Sequence, residues 1–469
     1  MYLIPASWSH FHLLVSVFPS VGLVFAIGFY VAAMRTRNAA AQKVSLFVFG
    51  ALAILGIPTE LSGGGAQTAL ALRPNMPVEI SGAHYVWSLL ALLVLAILGV
   101  VSWLVLWKSW RKERPTDNSL HIVLGLSLLT LLFMAIAGEI GWEIAHKEFS
   151  IPFEEGGTSQ IWSHIHVILN HFVTVGFVFA LLFFVIGLRL GNAVMKRAAL
   201  AIFVMCAVLG ASTFVTGSSA MWAVTDPVLL PGISQVRIYA HRDWAIISLF
   251  GLAFTGGMAW FELWRYRYLG RFSKVSLGVV LGFAIVTLGI LAQAGHLGGQ
   301  INHAEIHVAT DVMPADSSSY MAPKIQELIN NIIWFVPWQT VHFFGYTLVF
   351  ATVLVVALRI LGVWKSMSFA AVHRLLPLGA FGVMMNIFTG MLMLMADTHR
   401  YVNEAAFWPK MFFLPIGAIA VLYFSLSDKL WALKPGDDAP IGAKWVAVLV
   451  LVSWTFVIMG GRLLPYLFF

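Results

Sequence analysis

Charge is what this chain has least of. Only 10% of its 469 residues are Asp, Glu, Lys or Arg, against 60% hydrophobic, whereas soluble domains carry roughly 25% charged residues. A soluble globule is excluded, and a mean hydropathy of +0.87 points to a bilayer. Cysteine is nearly as scarce: Cys206 stands alone. That excludes an internal disulfide, a cysteine-ligated iron–sulfur cluster, a dinuclear copper–thiolate centre and a CxxCH attachment of c-type haem. Any redox cofactor must then be held by histidine. Phosphate-binding loops, a catalytic nucleophile and a soluble domain are also missing, and Met1 to His12 lacks the basic stretch of a cleavable signal peptide.

What is present is a series of about twelve apolar runs, near residues 12–34, 45–61, 84–107, 121–140, 165–188, 198–216, 241–263, 275–294, 341–362, 375–395, 409–426 and 445–465. Each approaches the roughly 20 residues that cross about 30 Å of hydrocarbon as a helix. The expected fold is an all-α polytopic membrane protein of about 12 transmembrane helices in three four-helix modules. Its divisions are residues 1–150, 151–310, an outer loop with an interfacial helix at 311–340, and 341–469. The segment Pro323 to Trp338 is expected to lie on the membrane as a short amphipathic helix.

Basic residues occupy alternate loops: Arg35, Arg37 and Lys43; Lys108, Arg111, Lys112 and Arg114; Arg189, Lys196 and Arg197; Arg265, Arg267, Arg271 and Lys274; Arg359 and Lys365; Lys429 and Lys434. The positive-inside rule makes those loops cytoplasmic and places both termini outside, as expected for a bacterial inner-membrane protein. The net charge of +7 follows from this topology and gives no reason to invoke nucleic acid.

The first two modules are one block written twice, in parallel. Trp8, Ser9, His10, His12, Gly22, Phe25 and Arg35 recur 154 positions later as Trp162, Ser163, His164, His166, Gly176, Phe179 and Arg189. At an offset of 157, Ala83, His84, Trp87, Gly99, Trp103 and Trp107 return as Ala240, His241, Trp244, Gly256, Trp260 and Trp264, and Gly138, Gly141 and His146 as Gly295, Gly298 and His303. Of fifteen histidines, only His121 and His373 fall on the inner side. Ionisable groups at membrane depth are expensive and mark function. Neutral imidazole is a common axial ligand of haem iron, and two imidazoles from different helices can clamp one porphyrin.

The full set stands in the second copy: His166, His171, His241 and His296. In the first copy His166 survives as His12 and His241 as His84, but His171 is replaced by Val17 and His296 by Glu139. Loss of two together suggests that His166 pairs with His241 and His171 with His296. His164 and His303, duplicated as His10 and His146, provide a competing assignment. His342 and His399 form a candidate pair in the last module. The expected cofactor count is two in the second module, one in the first and one further candidate in the third.

The runs Asn170-His171-Phe172, Thr174-Val175-Gly176, Ala-His-Arg-Asp-Trp-Ala around His241 and Gly-His-Leu-Gly-Gly around His296 resemble small four-helix bacterial membrane domains of unassigned function that are regarded as b-type cytochrome-like. Val341-His342-Phe343-Phe344-Gly345, Arg374-Leu375-Leu376-Pro377, Thr389-Gly390-Met391-Leu392 and Phe407-Trp408-Pro409-Lys410 are similar to copper-resistance D-like membrane proteins. These resemblances imply several haem b groups near the outer face, with quinone as a further candidate ligand. They imply an electron-transfer subunit of an oxidoreductase complex, working between the quinone pool or a membrane partner and a periplasmic cytochrome c or other redox protein. The alternatives are a transporter of copper or a small solute with an outer histidine site, and an assembly or anchor subunit.

Overall fold

The computed structural model describes residues 7–71, 78–145, 153–225, 234–302 and 321–464. The described residues are helical with short connections and no strand. The first copy folds as α1 (Trp8–Arg35), α2 (Ala39–Ala71), α3 (Val78–Ser109) and α4 (Asp117–Ala145), and the second as α5 (Phe153–Arg189), α6 (Ala193–Thr225), α7 (Gln235–Leu269) and α8 (Lys274–Asn302). The C-terminal part holds short α9 (Met321–Asn330) and then four long helices, α10 (Ile332–Leu361), α12 (Leu376–Ala396), α14 (Phe407–Leu426) and α16 (Ile441–Leu463), with short α11 (Phe369–His373), α13 (Thr398–Asn403) and α15 (Asp428–Trp431) between them. Among the described residues 12 helical spans are long and apolar enough to cross a membrane.

Helix starts recur where the sequence recurs. The side chain of Asn38 accepts the backbone N–H of Ala41 at 2.9 Å, and Asn192, 154 residues on, accepts that of Met195 at 3.0 Å. Such caps satisfy one of the N–H groups a helix end leaves orphaned. The turn before each cap needs a left-handed residue: Gly191 has φ 64°, but its first-copy equivalent is Arg37 at φ 50°.

The two copies pack about a pseudo-two-fold axis running between α1 and α5. Gly22 faces the Phe179 ring and Gly176 faces the Phe25 ring, where added Cβ atoms would lie 2.7 and 2.4 Å from the aromatic carbons. Since 154 residues separate each equivalent pair, residue i meets j while j's equivalent meets i's, the signature of an isologous contact. Equivalent residues Phe29 and Phe183 stack with centroids 4.1 Å apart, and Asn192 Nδ2 donates to Asn38 Oδ1 at 3.1 Å. Lipid leaves helices no hydrophobic drive to associate, so close approach at small residues and ring packing must hold them. One such aromatic pair contributes about 0.5–1.5 kcal/mol beyond area burial.

The C-terminal helices pack on α6 and α7 of the second copy. At the basic end, Arg197 reaches Asp428 Oδ1 at 3.1 Å and Arg267 pairs with the same carboxylate, while Arg267 Nε donates to the Ser425 carbonyl at 2.8 Å. Burial alone would push the Asp428 carboxyl up. The Arg267 hydrogen bond and both guanidinium charges outweigh it and hold the group below its ordinary range.

Two expectations change. The helix expected over Pro323 to Trp338 ends at Asn330, and α10 starts at Ile332 with Asn331 as its cap. Trp338 therefore belongs to a spanning helix, and α9 instead buries Ile329 against the bundle. Helix α2, expected to stop near residue 61, continues to Ala71 through Ser62-Gly63-Gly64-Gly65. The glycines let α1 approach: a Cβ at Gly65 would lie 2.5 Å from Trp8 Cβ.

Candidate functional site

At the end of the bundle opposite the basic loops, a cavity of about 610 Å³ opens between the two copies. His10, His12 and His84 from the first copy and His166, His171, His241 and His296 from the second line it. The volume is that of an ordinary small-molecule or cofactor site.

Within each copy the same construction fixes two imidazoles. His12 Nδ1 lies 3.0 Å from the Thr59 carbonyl, and His166 Nδ1 lies 2.9 Å from that of Thr213. His84 Nδ1 lies 3.0 Å from the Ala137 carbonyl, and His241 Nδ1 lies 2.9 Å from that of Ala294. A carbonyl oxygen can only accept, so Nδ1 carries the proton and Nε2 keeps the lone pair. Locking one ring nitrogen to a carbonyl is how proteins orient a histidine whose other nitrogen binds metal.

A glycine from the helix supplying each carbonyl makes room for each ring. A Cβ at Gly63 would lie 3.5 Å from His12 Cε1, one at Gly217 would lie 2.6 Å from His166 Cε1, and those at Gly141 and Gly298 would lie 2.8 and 2.9 Å from His84 and His241. These eight residues and their contacts superimpose in sequence at the offsets of 154 and 157. The copies differ at one detail: Ser88 Oγ lies 3.4 Å from His84 Nε2, and the equivalent of Ser88 is Ala245.

His166 and His241 face each other with ring centroids 6.3 Å apart and planes at 79°. Two imidazoles brought together from different helices are a donor pair that could hold one haem iron. His12 and His84 lie within electrostatic reach of each other. The residues of two of the pairs expected from the sequence, His12 with His84 and His166 with His241, thus line one cavity.

The remaining candidates take other positions. His171 Nδ1 is bonded to the Val167 carbonyl of its own helix at 2.7 Å. His296 stacks on His10 of the other copy, with centroids 5.2 Å apart and planes at 27°, and its Nε2 lies 3.2 Å from Gln300 Nε2. His10, set aside in the sequence as part of the competing assignment, therefore bridges the copies. His146 and His303 lie outside the described residues, as does the side chain of His399. His342 Nδ1 donates to Thr389 Oγ1 at 2.8 Å, the hydroxyl giving its own proton to the Met385 carbonyl at 2.6 Å.

His342 reveals a pattern that the twofold comparison missed. Trp8, Trp162 and Trp338 each precede a histidine by four residues, and Thr59, Thr213 and Thr389 each follow it by 47. The cap that opens the next helix also recurs, as Asn38, Asn192 and Ser368. A Cβ at Gly390 would lie 3.2 Å from His342 Cε1. The spacing of tryptophan, histidine, cap and threonine therefore occurs three times, although His342 bonds the threonine hydroxyl where His12 and His166 bond a carbonyl, and Gly390 stands at a different offset. In the second half, Lys410 packs on Gly460 and Gly461 of α16, within electrostatic reach of His342. Few positions survive across the third occurrence, so the signal in the sequence is faint.

Residues 10–149, the first copy, match the model of a family described as "Predicted membrane protein (DUF2231)". No curated protein and no solved structure matches the chain.

Proposed function

We propose that the chain is a membrane electron-transfer subunit whose duplicated histidine pairs, His12 with His84 and His166 with His241, hold b-type haem near one face of the membrane. The observation that carries this reading is the fourfold recurrence of one device: an imidazole fixed through Nδ1 to a neighbouring helix carbonyl, seated over a glycine and lining a shared cavity. The donors come in pairs. Among the described residues no group of three His, Cys, Asp or Glu side chains converges, whereas a protein site for a bare zinc or copper ion uses three or four donors. A porphyrin supplies four nitrogens of its own and asks the protein for two, which fits this donor set.

When bound, haem would supply a one-electron couple at the centre of each pair. The chain's own residues do the rest. The four imidazoles offer lone pairs at fixed positions, the carbonyls of Thr59, Ala137, Thr213 and Ala294 hold their tautomers, and the apolar cavity wall limits water. His171, His296 and His10 surround the same space, and a further haem between His171 and His296 belongs to this proposal. Following the alternation of basic loops, the histidine end faces the periplasm of a bacterial inner membrane. Electrons would pass there between the quinone pool, or a membrane partner, and a periplasmic cytochrome c or similar protein.

The test is a reduced-minus-oxidised spectrum of the detergent-purified protein with haem quantified as the pyridine haemochromogen. The account expects b-type bands that His241→Ala diminishes and His121→Ala leaves intact. A colourless protein, or bands indifferent to the four histidines, overturns it.

A further inference from the structure

The two copies keep their imidazoles but not the charges around them. Arg242 follows His241 and lines the cavity; its equivalent in the first copy, 157 residues earlier, is Tyr85, which also lines it. Glu60 lines the cavity beside Thr59, the residue that orients His12. Its equivalent in the second copy, 154 residues later, is Phe214. One site thus has a guanidinium where the other has a phenol, and the other has a carboxyl where the first has a phenyl ring.

Among the described residues, neither Arg242 nor Glu60 forms an ion pair with another residue of the cavity lining. Arg242 makes one long hydrogen bond, to Thr398 Oγ1 at 3.5 Å, although its guanidinium has five N–H donors. Asp243, the next residue, lies within electrostatic reach of Arg242 but is about 100° further round the helix and outside the lining, so the guanidinium is the charge presented to the cavity. Inside a membrane protein such charges act through a medium far less polarisable than water, so their influence on a neighbouring couple is strong.

Resting on the haem reading above, we infer that the two sites are redox-inequivalent: Arg242 makes the His166–His241 site the higher in potential, Glu60 makes the His12–His84 site the lower, and electrons run from the first copy to the second. The sign follows from the couple. Ferric haem carries one positive charge more than ferrous, so a nearby cation disfavours the oxidised form and raises the potential, and a nearby anion does the reverse. Arg242 also has donors free to take a haem propionate, which would neutralise that carboxylate and push the potential in the same direction. Duplication alone yields two equal sites; these two exchanges convert them into a directed pair.

The experiment is an optical redox titration of the purified holoprotein and of Arg242→Gln, Arg242→Lys and Glu60→Gln, with His84→Ala and His241→Ala to assign each component. Expected are two components in the parent protein, the lower assigned to His12–His84. Arg242→Gln should lower the upper component only and Arg242→Lys should restore it. Glu60→Gln should raise the lower component only. The haemochromogen content of each variant separates a lost site from a shifted one. Equal potentials in the parent, the reverse assignment, or variants that move neither component overturn the inference while leaving the haem reading standing. A parent protein without haem overturns both.

Discussion

At the scale of single residues, the duplicated block provides its own control, because each position has a twin in nearly the same surroundings. Arg37 and Gly191 occupy the same left-handed turn, at φ 50° and 64°. A side chain in that region costs about 1–2 kcal/mol, so Arg37→Gly should stabilise the protein by roughly 0.5–1 kcal/mol and Gly191→Arg should destabilise it by about 1 kcal/mol, read from thermal or denaturant midpoints in detergent. The glycines under the imidazoles behave oppositely. Ala at position 298 would bring a Cβ to 2.9 Å from His241, and the ring can retreat only by surrendering its bond to the Ala294 carbonyl. Gly298→Ala should therefore change stability by no more than about 1 kcal/mol, the gain in helix propensity offsetting the lost hydrogen bond, while weakening haem retention about 10–100-fold. Apoprotein stability and haem content measured on one preparation separate the two effects. Loss of both together would mean that Gly298 serves helix packing alone.

At the scale of helices and their ends, the membrane class, the spans and the duplication were legible in the sequence because apolar length and a fixed offset are strong signals. That His12, His84, His166 and His241 share one cavity was legible because the two copies keep these histidines together. What the sequence hid was helix continuation through weakly apolar stretches. The run from Ser62 to Gly65 reads as a break, yet its glycines let α1 and α2 meet at Trp8 and His12, a contact no local propensity encodes. The hydrogen bonds from Nδ1 to carbonyl were equally hidden, since they join residues 47 and 53 positions apart. At the basic end, Arg197 and Arg267 converge on Asp428 to join the second copy to the C-terminal helices. The Asp428 side chain is 72% exposed, so Asp428→Asn should cost about 1 kcal/mol or less. Because the folded carboxyl is held below its ordinary range, that contribution is present above the unfolded value of about 3.9 and is lost as pH falls through the folded one. The stability difference between parent and variant should vanish in acid. A difference that persists there would place the contribution in packing.

At the scale of the whole molecule, a pseudo-two-fold pair of four-helix units gathers two histidine pairs around one cavity, with a third, partial occurrence of the unit packed beside them. There Lys410 lies within electrostatic reach of His342, the side chain of His399 is outside the described residues, and the proposal places its haems on the other two pairs only. The most direct measurement is haem per chain, by haemochromogen against quantitative amino-acid analysis, in the parent protein, His84→Ala, His241→Ala, the two combined, and His342→Ala. The account predicts that His84→Ala and His241→Ala each remove one haem per chain, that their effects add in the combined variant, and that His342→Ala removes none. Haem content unchanged by either single variant, or one haem lost identically in both, would contradict it.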